Sequence, residues 1–216
     1  MHIFSTFFAG ILKTALAFTN DWVLAIVLIT LGVKLLLFPV SIKQQKALLL
    51  SQNLNLVKEI LTKKFKNDHS RVNTAVISIM TKYKINPLFS FATLIVQTPI
   101  FISLYFSISH LSTGIGSTII PWVLSNSPDS IHVLPVIASL FQGLSGLAAQ
   151  EKKFFMLVIP IVIGLLFFWK APAGISVYWA FNALLRYFEL KIFSSNLIRN
   201  RFLNIPSPEI MVRETI

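Results

Sequence analysis

Five runs of mostly apolar residues, 22–40, 88–111, 131–149, 154–169 and 174–190, stand out between breakers and charges. A helix crossing the hydrocarbon core of a bilayer needs about 20 apolar residues. Each run approaches that length, so the pattern predicts five transmembrane helices. The fourth and fifth are short and joined only by Lys170-Ala171-Pro172-Ala173, which predicts a tight helical hairpin. Ahead of the first run, Phe4, Phe7, Phe8, Ile11, Leu12 and Ala15 recur at helical spacing. They predict an amphipathic helix within residues 1–20, lying in the headgroup region. The one long polar insertion, 41–87, carries two apolar stripes. Leu50, Leu54, Val57 and Leu61 form one; Val72, Ala75, Val76, Ile79, Met80 and Tyr83 form the other; Lys66-Asn67-Asp68-His69-Ser70 lies between them as a turn. This is the pattern of a helical hairpin outside the membrane. Residues 112–130, rich in Ser, Thr, Gly and Pro, predict a loop on the opposite side, with Trp122 at the headgroup level.

Composition agrees with a lipid setting. The chain of 216 residues is 55% hydrophobic and 12% charged, with a mean hydropathy of +0.73, far too apolar for a soluble domain. The net charge of +11 is therefore concentrated in the few polar stretches, where anionic lipid is the natural partner. Lys43, Lys46, Lys58, Lys63, Lys64, Lys66, Arg71, Lys82 and Lys84 follow the first run; Lys152 and Lys153 follow the third; Lys191, Arg199, Arg201 and Arg213 lie in the tail 191–216. The other side has only Lys13 and Lys170. The positive-inside rule then puts hairpin and C-terminus in the cytoplasm and the N-terminus outside, as five spans require. Without cysteine there is no disulfide, thiolate metal site, cysteine nucleophile or lipoprotein anchor. Residues 1–10 carry no Lys or Arg and make a poor secretory signal.

Lys34 is the outstanding chemical position. It sits among Leu31, Val33, Leu35, Leu36 and Leu37, with Thr30 one turn earlier, and a central lysine costs roughly 2.5–3.5 kcal/mol on insertion scales. Asp21 and Asp129 belong to the outer side and Glu189 to the inner end of the fifth run. The expectation is therefore water in a polar cavity rather than a buried ion pair, with snorkelling to the cytoplasmic end as the alternative. Ser90, Thr93 and Gln97 in the second run, Ser139 and Gln142 with Gly143 and Gly146 in the third, and Tyr178, Trp179, Asn182 and Arg186 in the fifth are candidates to converge on it. Ordinary interhelical hydrogen bonds, or belt positions for Tyr178 and Trp179, are the competing readings. Pro39, Pro87, Pro99, Pro135 and Pro160 are candidate kinks. His2, His69, His110 and His132 are scattered; there is no HExxH, no Gly-rich phosphate loop and no paired carboxylate. Ser90, Ser103, Ser107 and Ser139 lack a histidine at their depth. No catalytic, cofactor or metal site is expected, nor a DNA partner.

Three segments resemble the YidC/Oxa/Alb family: LITLGVKLLLFPV at 28–40, YKINPLFSFATLIVQTPIFISLY at 83–105 and FWKAPAGISVYWAFN at 168–182. Their order and loop lengths are also similar to the family's. The resemblance implies an all-α membrane protein, with a five-helix core at 21–40 and 88–190, a cytoplasmic hairpin at 41–87 and a basic tail at 191–216. The core would enclose a hydrophilic groove open to cytoplasm and lipid. Lys34, Thr30, Gln97, Gln142, Tyr178, Trp179 and Asn182 would line it. The family usually has Arg where this chain has Lys34, which keeps the charge and loses the guanidinium fork. Relatives often carry a signal sequence or a large outer domain first; neither is expected here. The implied function is insertion of nascent membrane proteins into the bilayer without nucleotide hydrolysis, at a bacterial plasma membrane or less readily an organellar inner membrane, with ribosome and Sec translocon as possible partners. A small-solute transporter or channel with an anion site at Lys34, and a scaffold for assembly, are the alternatives.

Overall fold

The computed structural model describes residues 2–86, 92–109, 116–149, 154–195, 198 and 203–215. Among these are eight helices and no strand: α1 (His2–Thr19), α2 (Trp22–Lys64), α3 (His69–Lys82), α4 (Ala92–Ser109), α5 (Val133–Ala149), α6 (Phe154–Phe168), α7 (Ala173–Ser194) and α8 (Pro208–Arg213). Each apolar run falls on a helix, as does the expected interfacial segment. Among the described residues only α2 is by itself long and apolar enough to cross a membrane; stretches of α1, α5 and α6 are apolar but shorter. Pro87, Ser90, His110, Lys152, Lys153, Arg199 and Arg201 lie outside the described residues.

Two compact units divide the chain. The first comprises residues 1–38 and 96–191, the second 39–95 and 192–216. No helix end marks the boundary expected at residue 40, because α2 continues through Pro39 to Lys64. A proline costs one backbone donor and crowds the preceding turn, but residues 40–64 contain no glycine or second proline to complete a stop. Pro99 and Pro160 also lie within continuing helices.

In the first unit, carboxylates begin the helices. Asp21 precedes α2 and accepts the Val23 N–H at 2.8 Å, meeting a donor that a helix start leaves unpaired. It also gathers the long loop: Ser117 Oγ donates at 2.8 Å, the Thr118 N–H at 2.7 Å and Thr118 Oγ1 at 2.9 Å. Asp129 does the same for α5, accepting from the Leu134 N–H at 2.8 Å and from Trp122 Nε1 at 3.2 Å. The loop in turn supplies carbonyls to the start of α7, where the Ala173 and Gly174 N–H groups donate to Ser127 and Ser125. Behind these caps, Leu12, Trp22, Ile26, Ile29, Leu104, Ile108, Leu134, Ala138, Phe168, Ile175 and Tyr178 form one buried cluster. Large apolar side chains remain on its outside, including Leu35, Leu36, Phe154, Phe155 and Leu166; such exposure fits a hydrocarbon surrounding.

Helices α5 and α6 pack closely. A Cβ at Gly143 would stand 2.6 Å from Ile161 Cγ1 and 2.9 Å from the Leu157 carbonyl oxygen, and one at Gly164 would stand 2.8 Å from Ser139 Oγ. Small residues at the crossing let the backbones approach, as is common between helices in membranes.

In the second unit the two predicted stripes meet. Leu50, Val57 and Leu61 of α2 and Val72, Ala75 and Ile79 of α3 are buried together, with Leu54, Val76, Met80 and Tyr83 packed against them. Asp68 caps α3, accepting from the Ser70 and Arg71 N–H groups, so the helix resumes at His69, inside the expected turn. The tail was expected only as a basic extension. Instead Phe193, Leu203, Ile205, Met211 and Val212 complete the same apolar core. Ser207 caps α8. Asn53 Nδ2 donates to the Pro206 carbonyl at 2.8 Å, and the Tyr83 hydroxyl to a Glu214 carboxylate oxygen at 2.8 Å. Four apolar positions spread over 203–212 have no helical periodicity, so pattern alone does not reveal them.

Two outcomes are expected. Gly143→Ala forces α6 away from α5 and lowers stability by about 1–3 kcal/mol, whereas Gly32→Ala, which meets nothing within 4 Å, is neutral or better; thermal unfolding in detergent micelles compares them. Burial alone would raise the Asp21 carboxyl, but hydrogen bonds from Ser117, Thr118 and Val23 outweigh it and hold the pKa at about 2 against an ordinary 3.8. A depressed carboxyl stabilises the fold above the unfolded value and loses that contribution as pH falls through the folded one. Asp21→Asn is therefore expected to cost about 2 kcal/mol at neutral pH, and the gap to the parent should close as pH falls from 3.8 towards 2. A gap independent of pH would refute the assignment.

Candidate functional site

The polar residues of α7 form a ladder. At about 100° per residue, Tyr178, Asn182, Arg186 and Glu189 share one sector of the helix and extend over about 16 Å. The upper end meets α4 and α5. Tyr178 is buried, 2% exposed, and its hydroxyl pairs with the side chain of Gln97. Its neighbour Trp179 donates from Nε1 to Gln142 Oε1 at 2.9 Å. Phe101 packs against both aromatic residues, with ring centroids 6.4 Å from Tyr178 and 5.0 Å, edge-on, from Trp179. Phe101 is thus the hub of the cluster, which sequence reading did not single out. Its i+4 spacing from Gln97 was the available signal. Tyr178 is part of the buried core, and Trp179 is partly buried against it.

The lower end of the ladder overturns one expectation. Lys34 is not left to water alone: its Nζ donates to Glu189 Oε2 at 3.1 Å, and the two side chains are only 18% and 13% exposed. Near their starts, α2 and α7 touch where Ile26 approaches the backbone of Gly174. They run in the same direction, so Lys34 and Glu189 lie farther along neighbouring helices. Glu189 was set aside as an end residue, yet two long side chains cover the remaining offset, and pairing removes the cost of a lone buried ammonium. Arg186 lies one turn before Glu189 on the same face of α7, a second cation beside the pair. The three groups together carry a formal charge of +1.

Other expected members play different parts. Thr30 is buried and its hydroxyl donates to the Ile26 carbonyl of its own helix at 2.7 Å. Ser139 and Ser107 likewise bond the carbonyls of Pro135 and Ser103 one turn back, each at 2.7 Å. Gly143 serves the α5–α6 contact. Asn182 is half-buried between the two ends of the ladder. Ser90 is outside the described residues, and Thr93 lies on α4. Among the described residues no group of His, Asp and Glu is placed to hold a metal ion.

The arrangement combines a cation held by one carboxylate with a polar-aromatic wall, on helices that are otherwise apolar. A family model described as 60Kd inner membrane protein matches residues 14–200. A membrane protein insertase YidC of Fusobacterium nucleatum is 27% identical over 201 residues, covering 88% of this chain and 96% of the relative. Those of Geotalea uraniireducens and Lawsonia intracellularis are each 30% identical over 181 and 194 residues; both alignments cover 81% of this chain, but only 34% and 36% of the relatives. The chain thus spans about a third of the longer relatives and nearly all of the shorter one. With the match extending from α1 to beyond α7, the chain belongs to the 60Kd inner membrane protein family, that of the YidC/Oxa/Alb insertases.

Proposed function

We propose that this membrane protein is an insertase, passing hydrophobic segments of nascent membrane proteins into the bilayer without hydrolysing nucleotide. The observation that carries the reading is the family match over residues 14–200, together with relatives named as membrane protein insertases. The transporter alternative has no such support. In this reading five helices, within 21–40 and 88–190, span a bacterial inner membrane. The N-terminus is outside and residues 41–87 and 191–216 are cytoplasmic, as the basic residues favour. The ribosome and a Sec translocon are the partners such work calls for. No residue acts as a catalyst.

Lys34, Gln97, Gln142, Tyr178, Trp179 and Asn182 form the substrate groove, with Thr30 behind Lys34. An acidic or polar outer segment of the substrate is drawn towards the Lys34–Arg186 charge, while its apolar segment slides against α4 and α7 into lipid. The exposed apolar side chains of the first unit favour direct contact with hydrocarbon. The short α6, 15 residues, is suited to a locally thinned bilayer.

Lys34→Gln tests the groove cation because it keeps a polar group and removes the charge. Insertion of a substrate with acidic outer residues should fall about tenfold, the equivalent of ~1.4 kcal/mol, while a matched neutral substrate changes little. Equal loss for both would mean that Lys34 supports structure instead. The orientation is tested separately: Ile60→Cys should resist an impermeant thiol reagent added outside sealed cells and react once they are opened.

A further inference from the structure

We infer that Glu189 is an internal competitor for the acidic segment of an incoming substrate: it occupies Lys34 until a substrate carboxylate displaces it, and so sets how acidic that segment must be. The inference rests on the reading of Lys34 as the groove cation. Three observations favour it. The contact is made by one carboxylate oxygen at 3.1 Å, so a substrate meets an ammonium that already has a carboxylate partner rather than a free charge. Both side chains are largely shielded but not closed off, 18% and 13% exposed, which leaves an approach for a second carboxylate. Third, Arg186 lies three residues before Glu189 on the same helix face, within side-chain reach of its carboxylate.

The third point makes displacement feasible. Removing one partner of a shielded ion pair normally leaves an uncompensated charge, a strongly destabilising event. Here Arg186, one turn away, can take up the carboxylate that Lys34 releases, so one pair is exchanged for another. The group begins with two cations and one anion and ends with two of each, which favours the loaded state. A neutral segment offers nothing to replace Glu189 and gains nothing from Lys34. The pair therefore acts as a threshold on substrate charge.

The experiment uses the full-length protein in inverted membrane vesicles and two substrates that differ only in the acidic residues of the outer segment. The readout is the ratio of acidic to neutral insertion, normalised to the amount of insertase in the membrane. Glu189→Gln keeps the shape and removes the competing charge, so the ratio should rise about three- to tenfold. An unchanged or lower ratio overturns the inference. In Lys34→Gln/Glu189→Gln, which leaves no unpaired charge between the two positions, the gain should vanish; a gain that persists cannot come from Lys34 and also overturns it. If Glu189→Gln fails to accumulate, Glu189→Asp takes its place: the shorter side chain weakens the contact and should give a smaller rise, and no rise counts against the idea. Lys34→Gln alone tells the two levels apart. A ratio unaffected by that single change sinks the reading of Lys34, whereas a reduced ratio there with no rise in the Glu189 variants sinks only the competitor.

Discussion

An ammonium group on an apolar helix must find an anion or water, and the arrangement of the first unit follows from how Lys34 meets that demand. Its partner Glu189 lies on α7, which fixes the pairing of α2 with α7 at one end, while the contact of Ile26 with Gly174 fixes it at the other. With α7 so held, Tyr178 and Trp179 face Gln97 and Gln142. Each of these three polar pairs joins two different helices, which suits a setting where lipid offers no hydrogen bonds. The aromatic contacts of Phe101 fill the space between these pairs. Polar and apolar contacts thus specify the same packing, the agreement between levels expected of a sequence with one folded state.

The opposite end of the unit is governed by two other carboxylates. Asp21 and Asp129 each start a helix and each bind the 116–132 loop. The loop's carbonyls then receive the first N–H groups of α7. This accounts for irregular backbone being tolerated beside an apolar core, since its donors and acceptors are spent on helix ends that also lack partners.

Much of this was legible in the sequence because it depends on local pattern. The apolar runs found their helices, and the stripes Leu50–Val57–Leu61 and Val72–Ala75–Ile79 found each other, since 3.6-residue periodicity is a property of neighbouring positions. What escaped depended on distance along the chain. Glu189 is 155 residues from Lys34, and ranking acids by depth within a single span hid the pair. The continuity of α2 escaped for a different reason: the change from apolar to polar residues after Val40 reads as the end of a span, yet a helix whose later turns are held by packing runs on through the donor lost at Pro39. The tail escaped because Leu203, Ile205, Met211 and Val212 are too few and too irregularly spaced to announce a core. Gln97 and Gln142 pair with Tyr178 and Trp179 across helices, the ordinary interhelical bonding that residue type also allowed, while the hydroxyls of Thr30 and Ser139, read as candidates to converge on Lys34, turn back to their own helices. Such back-bonding to the carbonyl one turn earlier satisfies a lone hydroxyl within an apolar helix.

The choice of Lys rather than Arg at position 34 takes on meaning beside Glu189. A guanidinium would meet that carboxylate with two parallel hydrogen bonds in a fixed plane, and both would have to break together for another anion to enter. An ammonium makes one contact on a flexible four-carbon stem and can turn towards a second acceptor without losing the first at once. Arg186, which does have the fork, stands one turn before Glu189 on the same helix, within reach of that carboxylate if Lys34 turns away. On the proposed reading of Lys34, the ammonium contact with Glu189 is the exchangeable one, and Arg186, one turn earlier on α7, is the neighbouring cation towards which the released carboxylate can swing.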